Sequence, residues 1–404
     1  MNSDSRSNLV KCITDIVYLI TFAVFLHYRF LGTTMHEIHW ADNYYYDIQE
    51  KMWWIIGVIF FVDLLNSKAN LKSKLTYVAA VLIMVFVFVK CYNQVDNYDY
   101  LLELLCLSIG AARIDYRKIL RVYLLVVVPI TILTIIQSQT GKVTNLVYYR
   151  YGHIRESFGF IYPTDFAAHI FFIICVWIVL RGMRIHLAEL FVMGLIAITL
   201  QVCCEAKCGV VSILGVSLLT GIIRFNLWPN IVRPNCYQYR FEIRYFVYMM
   251  PVLCASAILL LGRMNQSNGL VRFFDKLTTG RIHLTHEAFE KYSIQPWGQY
   301  VYMRGNGGSV EKVKNYFYLD SSYVNIIFRY GYILFALILV ITIVVMKRKS
   351  DDKIFLAVLF MICAHSLIEH HLIEHYYNIF ILLPFARFDE KKIRLKPTYQ
   401  IKQV

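Results

Sequence analysis

The stretch Leu277-Thr278-Thr279-Gly280-Arg281-Ile282-His283-Leu284-Thr285-His286-Glu287 sits at the centre of residues 263–323, the one long run in this chain that cannot lie in a bilayer. It carries charges, hydroxyls and histidines, and leads on to Pro296-Trp297-Gly298. Apolar runs and short charged loops alternate on either side of it. Of the 404 residues, 58% are hydrophobic and only 17% charged, whereas a soluble domain has about a quarter of its residues charged. Runs long enough to cross about 30 Å of hydrocarbon recur from end to end. Such spans are helices, because each backbone polar group in lipid must be paired within its own segment. The expected fold is an all-α polytopic membrane protein of about 12 transmembrane helices, with a long extracytoplasmic loop between the ninth and the tenth.

The expected spans cover residues 13–25, 52–65, 75–89, 100–112, 122–137, 165–180, 187–202, 210–223, 245–261, 324–346, 354–367 and 376–384. The chain thus divides into spans and short loops over 1–262, the polar loop over 263–323, and the last spans with a basic tail over 324–404. The first apolar run reads as a retained span and not as a cleaved signal. The net charge of +14 would fit a nucleic-acid binder only if it were clustered. Instead it falls in alternate short loops, at Arg6 and Lys11, Lys68 to Lys74, Arg113 to Arg121, Arg181 and Arg184, Arg224 to Arg244, Lys347 to Lys349 and Lys391 to Lys396. Loops of that kind lie in the cytoplasm by the positive-inside rule, which places both termini there. Nucleic acid is not an expected partner; the bilayer is. The ten cysteines lie mostly inside apolar runs and show no disulfide framework. Cys203, Cys204 and Cys208 read as packed thiols. Asp15, Glu103 and Glu189 lie by expected interfaces, where their side chains can snorkel to water.

Arginine in an outer loop runs against the positive-inside trend and asks for a reason. Arg150, Arg155, Arg272, Arg281 and Arg304 all fall in such loops. A guanidinium matches phosphate oxygens with two parallel hydrogen bonds and stays charged at any working pH. The bland reading, a solvated or headgroup-facing arginine, stands beside this one at each position.

Two quoted stretches give the chain a family likeness. The loop before the sixth span reads Arg155-Glu156-Ser157-Phe158-Gly159-Phe160-Ile161-Tyr162-Pro163-Thr164-Asp165, and the later loop runs from Gly280-Arg281 through Pro296-Trp297-Gly298 to Asp320-Ser321-Ser322-Tyr323 and Arg329-Tyr330-Gly331. In these motifs, their order and the placing of both loops, the chain resembles the Wzy-type O-antigen and capsular polysaccharide polymerases of the O-antigen ligase/polymerase superfamily. The resemblance implies an integral-membrane glycosyltransferase of the bacterial plasma membrane. A growing glycan would pass from its undecaprenyl-pyrophosphate carrier to a sugar hydroxyl of the next lipid-linked repeat unit, with a flippase and a chain-length regulator as candidate partners. Arg155 with Gly159, and Arg281 with Gly298, look like the family's substrate-engaging arginine-to-glycine motifs.

That chemistry needs charge stabilisation at the leaving pyrophosphate, which suits Arg155 and Arg281, aided by Arg150 and Arg304. It also calls for a general base or for tight positioning of the hydroxyl. A helix is expected over 282–292, on which His283 would face Glu287 and His286 would face Glu290. His283, His286, Glu287 and Asp320 are the base candidates. The corner from His365 to His375 contains His371-x-x-Glu374-His375, the inverted zinc-protease spacing, set aside because such a site needs a third ligand and an open position. The resemblance instead implies a substrate-contacting role for His365 and Glu369, since polymerases of this kind often carry polar residues at this turn. No cofactor or metal is expected, since arginine supplies the positive charge and no outer Asp-x-Asp pair stands out. The alternatives are a ligase passing finished glycan to another acceptor, and a flippase. A flippase would place charges deep in the bundle and keep its outer loops short.

Overall fold

The computed structural model describes residues 3–36, 41–67, 69–95, 100–112, 114–150, 152–227, 237–311 and 313–388. The loop charges Glu37, Lys68, Asp96, Asp99, Arg113 and Arg233 and the tail charges Lys391, Lys392, Arg394 and Lys396 lie outside the described residues. The elements are α1 (Ser3–Leu31), α2 (Ala41–Asn66), α3 (Leu71–Tyr92), α4 (Leu101–Gly110), α5 (Tyr116–Gln139), β1 (Val147–Arg150), β2 (His153–Glu156), α6 (Pro163–Arg181), α7 (Leu187–Cys204), α8 (Lys207–Arg224) and α9 (Tyr237–Arg263). There follow α10 (Gly269–Leu277), α11 (Arg281–Lys291), the short α12 (Ser322–Asn325), α13 (Gly331–Arg348) and α14 (Lys353–His365).

Among the described residues, eight helices are long and apolar enough to cross a membrane, and α4 and α14 are shorter apolar helices. Side chains such as Leu82, Ile83 and Phe86 on α3, and Phe191, Leu195, Ile198 and Val202 on α7, face outward. Apolar surface of that extent is sustained by lipid and not by water. α6 lies at the other extreme, with Phe171, Phe172, Cys175 and Ile178 fully buried. It is the helix around which α5, α7, α8 and α14 pack.

Local chemistry marks several helix starts. Asn70 caps α3 through Ser73 N–H, Asp115 caps α5 through Arg117 N–H, and Asp352 caps α14 through Phe355 N–H. Pro163 opens α6, where its missing N–H costs nothing. Pro129 and Pro251 lie inside α5 and α9. Neighbouring helices can re-satisfy the backbone groups that such prolines free.

The bundle has two unlike ends. At the basic end, Lys118 pairs with Asp15 at 2.9 Å, Arg244 with Asp351 at 3.5 Å, and the Arg224 guanidinium donates to the Ile185 carbonyl at 3.3 Å. The opposite end carries the β1–β2 hairpin and the long polar segment. The hairpin, antiparallel with Tyr148 opposite Arg155, is a small exception to the expected all-helical fold.

Two expectations change here. The run 376–384 is not a helix. After α14 the chain turns at Ser366 and returns through the bundle as turns and one 3-10 turn, Ile379–Leu382. At the far end Arg387 N–H donates to the Ile114 carbonyl at 2.7 Å. Irregular backbone is tolerated at such depth only when protein surrounds it. Here the Tyr123 hydroxyl donates to the Tyr377 carbonyl at 2.9 Å and the Asn378 amide to the Leu372 carbonyl at 2.7 Å. The return is buried on nearly every side, so its apolar residues carry no period from which helix could be told from coil. The second change concerns Glu103. It does not snorkel: it is fully buried and ion-paired with Arg29, whose Nε lies 2.6 Å from Oε2. Asp15 and Glu189 do keep contact with the surface, paired with Lys118 and Arg181 at 2.9 Å each.

Candidate functional site

The hairpin and the long polar segment join into one wall. The Tyr148 hydroxyl donates to the Ile161 carbonyl at 2.9 Å and reaches the Asn306 carbonyl at 3.4 Å, and Gly308 N–H donates to the Ile161 carbonyl at 3.2 Å. Behind this wall the Ser322 hydroxyl donates to the Glu369 carbonyl at 2.6 Å and accepts Leu372 N–H at 3.1 Å. These two hydrogen bonds tie the start of α12 to the returning chain.

Arg155 projects inward from β2 and is 2% exposed. Its Nε donates to the Cys204 carbonyl at 2.8 Å and Nη1 reaches the Tyr162 hydroxyl at 3.4 Å, while Nη2 is buried with no hydrogen-bond partner. Its hydrogen-bond acceptors are neutral, and a buried cation favours an anion nearby. Arg281 opens α11. Its Nη1 donates to the Thr279 carbonyl at 3.1 Å and hydroxyl at 3.0 Å, Nη2 lies 3.4 Å from Asp320 Oδ2, and its Nε is again buried without a partner. The Tyr316 hydroxyl lies 3.4 Å from the same Asp320 oxygen.

The charges of both guanidiniums bear on one buried carboxyl, Glu369. Burial pushes its carboxyl up to about 7; Arg281 and, more weakly, Arg155 oppose the rise, while Asp320 adds to it. Burial also lifts the Asp320 carboxyl above its ordinary range, although Arg281 and the Tyr316 hydroxyl pull it back. A carboxylate with a raised pKa beside a fixed cation is a fitting acceptor for a hydroxyl proton near neutrality.

The other expected site residues divide in two. Helix α11 forms one residue earlier than expected, and His286 does face Glu290, at 3.4 Å, with its Nδ1 2.9 Å from the Gly262 carbonyl. His286 therefore anchors α11 to α9. Glu287 pairs with Lys291 at 2.5 Å and not with His283, which is exposed. Arg304 is exposed, its backbone bridged to Phe317, and Arg150 ends β1 at the hairpin tip. His365 lies inside the bundle, 3.0 Å from the Ser212 hydroxyl and stacked on Phe171.

Gly159 and Gly298 have steric reasons to be glycine. At φ +83 a Cβ on Gly159 would meet Thr134 Cγ2 at 2.9 Å. A Cβ on Gly298, φ +88, would lie 2.0 Å from the Arg329 carbonyl oxygen. Gly298 thus docks the polar segment on the π-helical turn Ile326–Tyr330.

Sequence reasoning assigned no role to Asp165, Tyr316, Arg329, His370, His371 or Glu374, which the fold brings to the same region. His371 Nδ1 lies 2.9 Å from Glu374 Oε2, and its Nε2 lies 3.9 Å from Asp165 Oδ1. The available signal was the clustering of acids and histidines where an apolar run begins or ends. No protein-family model, curated protein or solved structure matches the chain.

Proposed function

We propose that this membrane-embedded chain is a glycosyltransferase that polymerises undecaprenyl-pyrophosphate-linked repeat units at the outer face of the bacterial plasma membrane. One observation carries the reading. Arg155 on β2 and Arg281 on α11, from separate segments, are both held inward at the polar end of the bundle, and each keeps a buried guanidinium nitrogen without a partner. Paired guanidiniums of this kind suit the oxygens of a pyrophosphate.

In this reading the donor's pyrophosphate lies against Arg155 and Arg281. The Asp320 carboxylate takes the proton of the acceptor sugar hydroxyl as that oxygen attacks the donor's anomeric carbon. The new glycosidic bond forms as the bond from that carbon to the pyrophosphate oxygen breaks, and the lipid pyrophosphate leaves with its charge stabilised by the two arginines. Tyr316 and Arg281 hold the Asp320 carboxylate for this role.

Purified protein in proteoliposomes, supplied with a lipid-linked repeat unit, tests the reading. New glycosidic bonds and a ladder of chain lengths are expected. Translocation of the unit without new bonds would overturn it in favour of a flippase, and transfer of finished chains to a different acceptor in favour of a ligase.

A further inference from the structure

The returning chain carries a second cluster with its own chemistry. The carboxylate of Glu374 spans two imidazoles, with Oε2 at 2.9 Å from His371 Nδ1 and Oε1 at 3.5 Å from His370 Nε2. The opposite nitrogens, His371 Nε2 and His370 Nδ1, are buried and have no hydrogen-bond partner. A ring nitrogen whose opposite N–H is held by a carboxylate presents its lone pair outward, the arrangement that orients histidine towards a metal.

The surroundings fix these rings. His371 is 1% exposed and stacks on Tyr377 with centroids 3.8 Å apart; Tyr377 stacks in turn on His169 at 3.7 Å. His370 meets the Tyr318 ring edge-on at 5.3 Å. Glu369, next in sequence, is held through its carbonyl by Ser322. Glu369, His370 and His371 each bring a ligand atom to one place, all within 4.8 Å of one another. Asp165, at the start of α6, adds a carboxylate oxygen 3.9 Å from His371 Nε2.

We propose that Glu369, His370 and His371, with Asp165 at the rim, bind a divalent first-row transition cation, with Glu374 holding both imidazoles. Mixed imidazole and carboxylate ligands suit Zn²⁺ or Mn²⁺ and are unlike the all-oxygen sets of Ca²⁺ and Mg²⁺. Two nitrogens that the protein leaves unpaired are thereby satisfied, where a buried unsatisfied group is otherwise costly. The cation would stand beside Glu369, the carboxylate on which Arg155 and Arg281 act, and would add positive charge there. The inference does not depend on the glycan-transfer reading, and its test needs no substrate.

The full chain, purified in detergent with a tag free of histidine and stripped with EDTA, is titrated with Co²⁺ as a spectroscopic probe. One Co²⁺ per chain is expected, with visible d–d bands that disappear when Zn²⁺ displaces it; Mn²⁺ is followed in parallel by its EPR signal. Glu374→Gln keeps the ligands and should weaken binding by about 10- to 100-fold. His371→Ala should lose the bands, and His153→Ala, at an exposed hairpin position, should leave them unchanged. Gel filtration and thermal melting show whether each variant is folded. If His371→Ala does not fold, Glu374→Gln and Asp165→Asn decide. No saturable binding, or wild-type affinity in the folded variants of Glu374 and His371 or Asp165, overturns the proposal.

Discussion

Arg281 and Asp320 face each other at 3.4 Å, one from the first turn of α11 and the other just before α12, each side chain more than four-fifths buried. Tyr316 is hydrogen-bonded to the same Asp320 oxygen. The cation of the proposed clamp and the proposed base are therefore one unit, and changes to either should be felt by both.

Arg281→Ala is expected to lower chain extension by about 10²- to 10³-fold, the usual loss when one charge-stabilising donor is removed. Single lipid-linked repeats should accumulate. Arg155→Ala should do the same, and Arg155→Lys only partly restore extension, because an ammonium lacks the planar fork. Electrophoresis of extracted glycan reads the result; unchanged chain length in both alanine variants would remove these residues from the mechanism.

Asp320 also predicts a pH dependence. Burial raises its carboxyl, partly offset by Arg281 and Tyr316. Asp320 itself adds to the upward shifts of the Glu369 carboxyl and the Tyr318 hydroxyl, which share its surroundings. A base with a raised pKa stays protonated further up the pH scale, so the rate should climb with pH on a limb above the ordinary carboxylate range. Tyr316→Phe removes a hydrogen bond that lowers this pKa, and should move the limb to higher pH. Asp320→Asn should cost about 10²- to 10⁴-fold. A limb that Tyr316→Phe leaves in place would exclude Asp320 as the group that titrates.

Gly298→Ala is predicted to act on stability first. Its Cβ would collide with the Arg329 carbonyl at 2.0 Å, and one on Gly331 with Gly298 N at 2.4 Å. Both contacts are with backbone, so the docked segment must shift; the cost is roughly 2–4 kcal/mol from overpacking and backbone strain together. Gly194→Ala, in α7 with open space around it, should melt like wild type. Normal melting of Gly298→Ala with lost activity would return Gly298 to a direct substrate role.

The Arg29–Glu103 pair supplies a test inside the bundle. Glu103→Ala removes the buried carboxylate that Arg29 Nε reaches at 2.6 Å and should destabilise by about 3–5 kcal/mol. Replacing both, Arg29→Met with Glu103→Leu, should recover much of that loss. Denaturation in detergent compares the two, and equal loss in single and double variants would mean the pair is not the main partner of either residue.

Much of this protein was legible in its sequence. Apolar run length and loop charge are local properties, and among the described residues they recover eight helices long and apolar enough to cross a membrane. The helix expected over 282–292 forms at Arg281–Lys291, and Arg155 and Arg281 stand out in the sequence as arginines in outer loops, whereas Glu369 is marked only by the family resemblance. Tertiary structure decided the rest. The run 376–384 is as apolar as a span, but it is enclosed on all sides, and a run without a polar face carries no record of its backbone shape. His365 and Glu369 read as corner residues that contact substrate; both are buried, His365 because α6 and α8 close over it. Arg155 is set against the end of α7, Arg281 is carried by α11 against α9, and Glu369 is held through its carbonyl by Ser322 of α12; these contacts join residues far apart in the chain, and no local pattern encodes them.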